Sequence, residues 1–260
     1  MLSLSSVNLS YAAQDVLHGI SLEVMRGEFL SIVGGSGKSS LLKVMGGIEP
    51  PQTGHVRYDS VDIYHVNDRK YSEMQQSSGF LFQDAALLAN MSMFENVALP
   101  LRYHRRMSEQ QIRSRVFEVF DILNISIKSD LRPAGFPLSV RKMVAFARAM
   151  VLDPEFLFLD DPTGNVDHNS REIVIKTLLD IKCCSKTAAV IVSQDPDLIT
   201  LTSDRIIVLH GGTIIQDGTV QEVFNSPDER VRDIMEGMGG ESDSQSMHVR
   251  LEQREGKEQP

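Results

Sequence analysis

The spacing of apolar residues changes several times along the chain, and each change predicts an element. Over residues 1–30, apolar and polar positions alternate in short stretches (Val7, Leu9, Tyr11, then Val16 to Val24) punctuated by Gly19 and Gly27, a pattern of antiparallel strands. Phe29 to Val33 form a compact, mostly apolar strand that runs into Gly34, Gly35, Ser36 and Gly37, and Lys38 to Met45 then read as a helix. Strand, glycine-rich turn and helix in succession make a candidate phosphate site. The segment EPPQTGHVRYDS, from Glu49, carries turn chemistry before another strand-like piece. Ser108 followed by Gln111 is a capping-box pattern, and Ile112, Val116, Phe120 and Leu123 recur behind it at helical spacing. A second helix is predicted from about 138 to 151, ending before Asp153-Pro154. Phe156 to Leu159, capped by Asp160 and Asp161, has the character of a central parallel strand, and so does Ala188 to Val192. Ser170 to Lys182 between them has the length of a crossover helix, so a mostly parallel sheet follows. Arg205 to Leu209 and Thr213 to Gln216, joined through Gly211-Gly212, read as a hairpin. The polar end beyond Gly239, ESDSQSMHVRLEQREGKEQP, predicts a disordered tail.

Composition narrows the function classes. A chain of 260 residues suits one large domain or one domain with an inserted subdomain, and 42% hydrophobic with 23% charged residues excludes a wholly disordered or fibrous protein. With 26 Lys+Arg against 35 Asp+Glu the net charge is -9, which argues against nucleic acid as the main partner, since phosphate contacts need clustered basic groups. No apolar run approaches the roughly 20 residues that span a bilayer. The start MLSLSSVNLSYAAQ lacks a basic n-region followed by a sustained apolar stretch, so a cytosolic chain, held at a membrane by a partner, is expected. The adjacent Cys183 and Cys184 indicate neither a disulfide framework nor spaced metal ligands and are read as reduced helix residues.

The strongest chemical signal is GGSGKSS at 34–40, where small residues allow successive N–H groups to face one anion. Lys38 supplies a point charge to phosphates, and the Ser39 hydroxyl can ligate Mg2+. The strict pattern G-x-x-x-x-G-K-[ST] fails, because the position five before Gly37 is Ile32, and loops of this composition also serve as plain turns. Asp160 at a strand end can hold a magnesium hydration shell while Asp161 faces a water. Two adjacent acids there also fit a helix cap or a solvated loop. Gln83, in GFLFQDAALL, can contact metal or water as a neutral amide or be an ordinary surface glutamine. The Tyr11 ring can stack a base or belong to the core rim.

This ordered set resembles the ATP-binding cassette (ABC) family of transporter nucleotide-binding subunits over about residues 1–238. Tyr11 falls at the family's adenine-stacking aromatic, Gly34 through Ser40 at its Walker A loop, and Gln83 at its Q-loop glutamine. Asp160 matches the Walker B aspartate, Asp161 the catalytic glutamate position, Asn165-Val166-Asp167 the D-loop, and VAFARAM at 144–150 the helix after the signature. The segments GFLFQDAALLANMSMFENVALPL and PDERVRDIMEG look like cassettes of the Mla/Mce type, which serve lipid transport. The resemblance implies an α/β fold with a RecA-like P-loop NTPase core, an N-terminal antiparallel β subdomain and an inserted helical subdomain near 85–150. It implies ATP and Mg2+ as ligands, held by Lys38, Ser39, Asp160 and Gln83, and Asp161 polarising the water. It further implies a second nucleotide-binding subunit, in a homo- or heterodimer, and transmembrane permease partners that place the chain at the cytoplasmic face of the inner membrane.

The chain departs from the family at the places where chemistry concentrates. SIVGGSGKSSLL is two residues shorter than the family's VGxSGSGKSTLL, so its loop is expected not to wrap a phosphate in the same way. The signature LSGGQ has no glycine pair here: an ungapped count puts Phe136, Pro137, Leu138, Ser139 and Val140 there, and the alternative keeps Leu138-Ser139 and deletes both glycines. Asp161 stands for glutamate, and Gln194 stands for the switch histidine and cannot be cationic. Two functions therefore compete: an ATP-binding subunit that drives a permease, and a catalytically silent cassette that acts as scaffold or regulator. Arg102, His104, Arg105 and Arg106 form a basic stretch that suits a solvated helix end or a contact with a permease or lipid headgroups.

Overall fold

The computed structural model describes residues 1–12, 14–104 and 107–238. Strands β1 (Leu2–Tyr11) and β2 (Gln14–Val24) come first, and β3 (Phe29–Gly34) passes through Gly35, Ser36 and Gly37 into helix α1 (Lys38–Met45). Next are the hairpin β4 (Thr53–Tyr58) and β5 (Val61–Asp62), helix α2 (Asp68–Gln76) and β6 (Ser78–Leu81). Helices α3 (Met93–His104), α4 (Glu109–Ile122) and α5 (Leu138–Met150) form a helical insert. The second half alternates β7 (Phe156–Asp160), α6 (His168–Cys184), β8 (Ala188–Val192) and α7 (Pro196–Thr202), then ends in β9 (Arg205–His210), β10 (Thr213–Thr219), α8 (Val220–Phe224) and α9 (Glu229–Glu236).

These elements form two sheets. The antiparallel sheet runs β2-β1-β4-β5, and the larger sheet runs β10-β9-β3-β8-β7-β6 with every neighbouring pair parallel except β9 with β10. Period-two alternation distributes the larger sheet's side chains between two cores. Phe29, Leu157, Leu159, Ala189 and Ile191 pack with residues of the helical insert and α6, whereas Leu30, Ile32, Phe156, Phe158 and Val190 pack with α1 and the antiparallel sheet. Both faces of β7 and β8 are thereby covered, and every residue of the two strands is buried. The register sets Ile32 beside Val192 and Val192 beside Asp160, so the carboxyl ends of β3, β8 and β7 finish together. In an open parallel sheet that edge is where ligands bind.

The capping box forms as expected: the Ser108 hydroxyl accepts from Gln111 N while the Gln111 side chain accepts from Ser108 N. The hairpin closes through Gly211 and Gly212, both at positive φ, and β10 runs on to Thr219, beyond the predicted Gln216. Two helices have no clear sequence signature, for identifiable reasons. α2 buries no side chain and so shows no apolar stripe, and α3 carries Pro100, an interior helix breaker. α3 is held instead by Asn96, fully buried, whose amide accepts from Leu88 N (2.7 Å) and donates to Leu88 O and Ser92 O. Among the described residues no helix is long and apolar enough to cross a membrane. The expected tail beyond Gly239, and Arg105 and Arg106 of the basic stretch, lie outside the described residues. Arg102 meets Glu109 through two bonds (3.1 and 2.8 Å), so its charge is balanced within the insert.

Candidate functional site

The shortened glycine loop still delivers a strand into a helix N-terminus. Gly34 and Gly37 take φ values of 114° and 98°, a region that side chains with a Cβ strongly disfavour. Gly35 N–H donates to Leu209 O of β9 (2.9 Å) and is withdrawn from any ligand. Beyond it the amides are open. Gly37 caps α1 with no side-chain hydrogen bond, and the first helical bond runs from Leu41 N to Gly37 O (2.8 Å), so the N–H groups of Lys38, Ser39 and Ser40 have no partner within the helix. Lys38 Nζ folds back to donate to Gly34 O (2.6 Å) and Gly35 O (2.7 Å). An ammonium has three donors, so one remains for a ligand oxygen. Burial pushes this ammonium below the usual lysine range, while Asp160 and Asp161 pull it back up.

Across the crevice, Ser39 Oγ donates to Asp160 Oδ1 (3.0 Å). Asp160 is only 5% exposed, and burial pushes its carboxyl above the ordinary range, with the Ser39 bond acting against this and Asp161 adding to it. A cavity of about 200 Å³ is lined by Lys38, Ser39, Gln83, Asp160, Asp161 and Gln194 among others. It brings together the predicted residues from four separate stretches of chain. A hydroxyl and a carboxylate within 3.0 Å, with an amide on the same cavity, form an oxygen donor set suited to Mg2+. A wider cavity of about 920 Å³ continues past Ser39, Gln83 and Asp160 to Leu138 and Asn165.

A raised carboxyl pKa carries a definite sign for stability. The fold favours the protonated acid, so this contribution is fully present below the unfolded-state pKa and is lost as pH rises through the raised folded value. Asp160→Asn is therefore expected to melt higher than the parent at neutral pH, by about 2–4 °C for each kcal/mol relieved, while losing magnesium-dependent ligand binding. A lower melting temperature in calorimetry would show that Asp160 is held for stability and not for a ligand.

The remaining predicted residues fall around this centre. Tyr11 is 44% exposed, and its hydroxyl donates to Glu49 (2.6 Å) and lies 3.4 Å from Ser40 Oγ, which tethers the ring at the start of α1. Gln83 is exposed, and the turn after it places Ala85 and Ala86 at positive φ with their carbonyls held by Arg148 (3.1 and 2.9 Å). Pro137 is the N-cap of α5 without a side-chain cap bond, and Leu138 and Ser139 occupy its first turn. Asp167 caps α6 by accepting from Ser170 N (2.9 Å). Asp161 caps no helix. It sits in a left-handed turn (φ 53°), with its N–H donating to Val192 O (2.8 Å).

The sequence reading did not single out Lys142. Its side chain is 1% exposed, and Nζ donates to Asp161 O (2.7 Å) and Gly164 O (2.5 Å) and stands 3.8 Å from the Asp161 carboxylate. A signal for it exists: Lys142 shares the helical stripe of Ala145, Phe146 and Ala149, all buried, so a lysine there must find partners inside the protein.

Comparison with known proteins agrees with this geometry. The ABC transporter family profile matches residues 17–164. The methionine import ATP-binding protein MetN of Clostridioides difficile is 30% identical over 226 residues, spanning 86% of this chain and 70% of that protein. The intermembrane phospholipid transport system ATP-binding protein MlaF of Haemophilus influenzae is 29% identical over 234 residues, 88% of this chain and 89% of that one. Among solved structures, the dimeric post-hydrolysis state of the ATP-binding cassette MJ0796 bound to ADP and Pi superposes with a TM-score of 0.79 at 27% identity, covering 85% of this chain and 99% of that one. With a RecA-like sheet, a glycine loop opening a helix and an aspartate at the adjoining strand end, the chain belongs to the ABC transporter family as one of its nucleotide-binding domains.

Proposed function

We propose that this domain binds Mg-ATP at the 34–40 loop and passes the resulting closure to transmembrane permease subunits, at the cytoplasmic face of the inner membrane and in a dimer with a second nucleotide-binding subunit. The observation that carries this reading is the open first turn of α1, which offers unpaired N–H groups beside the Lys38 ammonium and across from Asp160. Ser39, Asp160 and Gln83 would hold Mg2+, which when bound neutralises charge on the phosphate oxygens. Lys38 orients the phosphates with its remaining donor, and Tyr11 offers its ring to the base. A lipid-type cargo is favoured because the MlaF relative matches nearly end to end, whereas MetN extends beyond the match.

Hydrolysis is expected to be weak. Asp161 is one methylene shorter than the family's glutamate, and a displacement of order 1 Å costs about 100-fold. Gln194 donates a neutral hydrogen bond where the family has a histidine. Whether Leu138 and Ser139 in the first turn of α5 stand at the family's glycine positions or the glycines are deleted behind them, the glycine pair that a second subunit's nucleotide would meet is missing.

A second reading, a silent cassette acting as scaffold, draws on the loop itself, where Gly35 N and two of the Lys38 donors are already engaged. Equilibrium binding of ATP to the full chain, with and without magnesium, separates the two. Magnesium-dependent binding that falls about 10- to 100-fold in Lys38→Ala, the equivalent of one charge-assisted bond, supports the first reading. No binding at millimolar ATP supports the second.

A further inference from the structure

We propose that the β4–β5 hairpin and the turn that follows it carry a transition-metal site made by His55, Asp62 and His65, separate from the nucleotide crevice. One ligand atom from each of the three lies within 4.8 Å of the others, and among the described residues this is the one such grouping of histidine, cysteine and carboxylate side chains. Asp62 stands between the two imidazoles: His55 Nδ1 is 2.6 Å from Oδ2 and His65 Nδ1 is 3.1 Å from Oδ1. The two rings lie 6.0 Å apart, centre to centre, and both are more than half exposed, whereas the Asp62 side chain is 17% exposed. The carboxylate is fixed from behind, since Oδ1 also accepts from Tyr64 N (3.2 Å) and the strand pairing sets Asp62 opposite Arg57.

The donor set selects the ligand. Two imidazole nitrogens and one carboxylate oxygen suit a borderline dication of the zinc type and not a hard ion that prefers oxygen alone. A tetrahedral zinc with bonds of about 2.0–2.2 Å sets neighbouring donor atoms about 3.4 Å apart. The Asp62–imidazole spacings of 2.6 and 3.1 Å are shorter than that value and the ligand atoms all lie within 4.8 Å of one another, so the side chains part slightly to admit the ion, and three protein ligands leave a fourth position open to water. Holding two exposed imidazoles on one carboxylate costs side-chain freedom that two surface hydrogen bonds return only weakly. Arg57, on the same face as Asp62 by the strand register, opposes a dication, so the site binds less tightly than an all-neutral surround would allow.

The hairpin also touches the nucleotide domain's working parts. The Tyr64 hydroxyl, between the proposed ligands in sequence, lies within hydrogen-bond distance of Glu49 O (2.6 Å) and Val44 O (2.9 Å), near the end of α1, and shares its one proton between them; the Glu49 side chain is the one that tethers Tyr11. The test is a titration of Zn2+ into the full chain carrying Cys183→Ser and Cys184→Ser, because both thiols are exposed and would bind zinc themselves. One saturable equivalent is expected, with its affinity lowered by about 10- to 100-fold or more in each of His55→Ala, Asp62→Asn and His65→Ala. Co2+ in place of Zn2+ should give the visible absorption of a tetrahedral centre, lost in the same three proteins. Absence of saturable binding, or an affinity unmoved by any one of the three substitutions, overturns the site. If Asp62→Asn fails to fold in EDTA, the two histidine variants decide, their side chains being exposed. Retention of zinc binding by Lys38→Ala would place the site apart from the phosphate loop, and its loss there would overturn that separation.

Discussion

Gly34→Ala is expected to destabilise the protein by about 2–5 kcal/mol and to remove nearly all ATP binding, although it adds a single methyl group. Two costs coincide. At φ 114° an L-residue pays about 1–2 kcal/mol for its backbone conformation. The added Cβ would also press into the Leu209 carbonyl oxygen, with the carbonyl carbon and the amide nitrogen of Leu209 both at 3.0 Å, an overpacking that costs about 1–3 kcal/mol. Leu209 cannot retreat easily. It is the strand partner of Gly34 in the β3–β9 ladder and also accepts the Gly35 N–H, so moving it opens the sheet at the root of the phosphate loop. Gly35→Ala is the matched control, because its Cβ would meet nothing nearer than Leu209 O at 4.0 Å and its φ is not positive. Urea unfolding of the two variants should therefore differ by about 2 kcal/mol or more. Equal stabilities would show that the loop relaxes and that close approach of β3 to β9 is not what shapes it.

Lys142→Met should cost about 1–3 kcal/mol, since Gly164 O loses its donor while Asp161 O keeps only the N–H of Gly164 (3.2 Å). Methionine keeps the length and apolar stem, so a loss of this size reports the ammonium and not a cavity. The same substitution releases the carbonyl that holds Asp161 in its left-handed turn, against Gly164, where any Cβ would collide with the Asp161 carboxylate. Whatever ATP turnover the domain has should fall with it, by about 100-fold for a shift of order 1 Å. Chemical denaturation and steady-state phosphate release measure the two effects independently. Wild-type stability in Lys142→Met would mean that water reaches the turn and replaces the lysine. The position matters because Lys142 lies in α5 and so ties that helix physically to Asp161.

How much of this was legible in advance differs by element. Continuous apolar runs announced β3, β7 and β8, and the capping box announced α4, because in each case burial or capping is written in adjacent residues. α2 and α3 were silent, one lacking a buried face and the other interrupted by Pro100 and sustained by a buried Asn96 that bonds back to residues 88 and 92. The glycines of the loop could be read along the chain, but the partners of their amides could not. That Gly35 gives its amide to β9 depends on a strand more than 170 residues away, a distance no local pattern carries.

The amino-acid order by itself determined the class of sheet, the strand–loop–helix suited to a phosphate and the carboxylates at the neighbouring strand end, since periodicity and short-range chemistry are local properties. Only the tertiary structure decided that Lys38 lies against its own loop, that Asp160 is buried against Ser39, that Lys142 is the buried cation behind Asp161, and that His55 and His65 converge on Asp62. The physical reason is common to all four. A charged or polar side chain takes its role from the partners that desolvation forces on it, and those partners are chosen by chain crossings and strand register, which the pattern of neighbours in sequence does not contain.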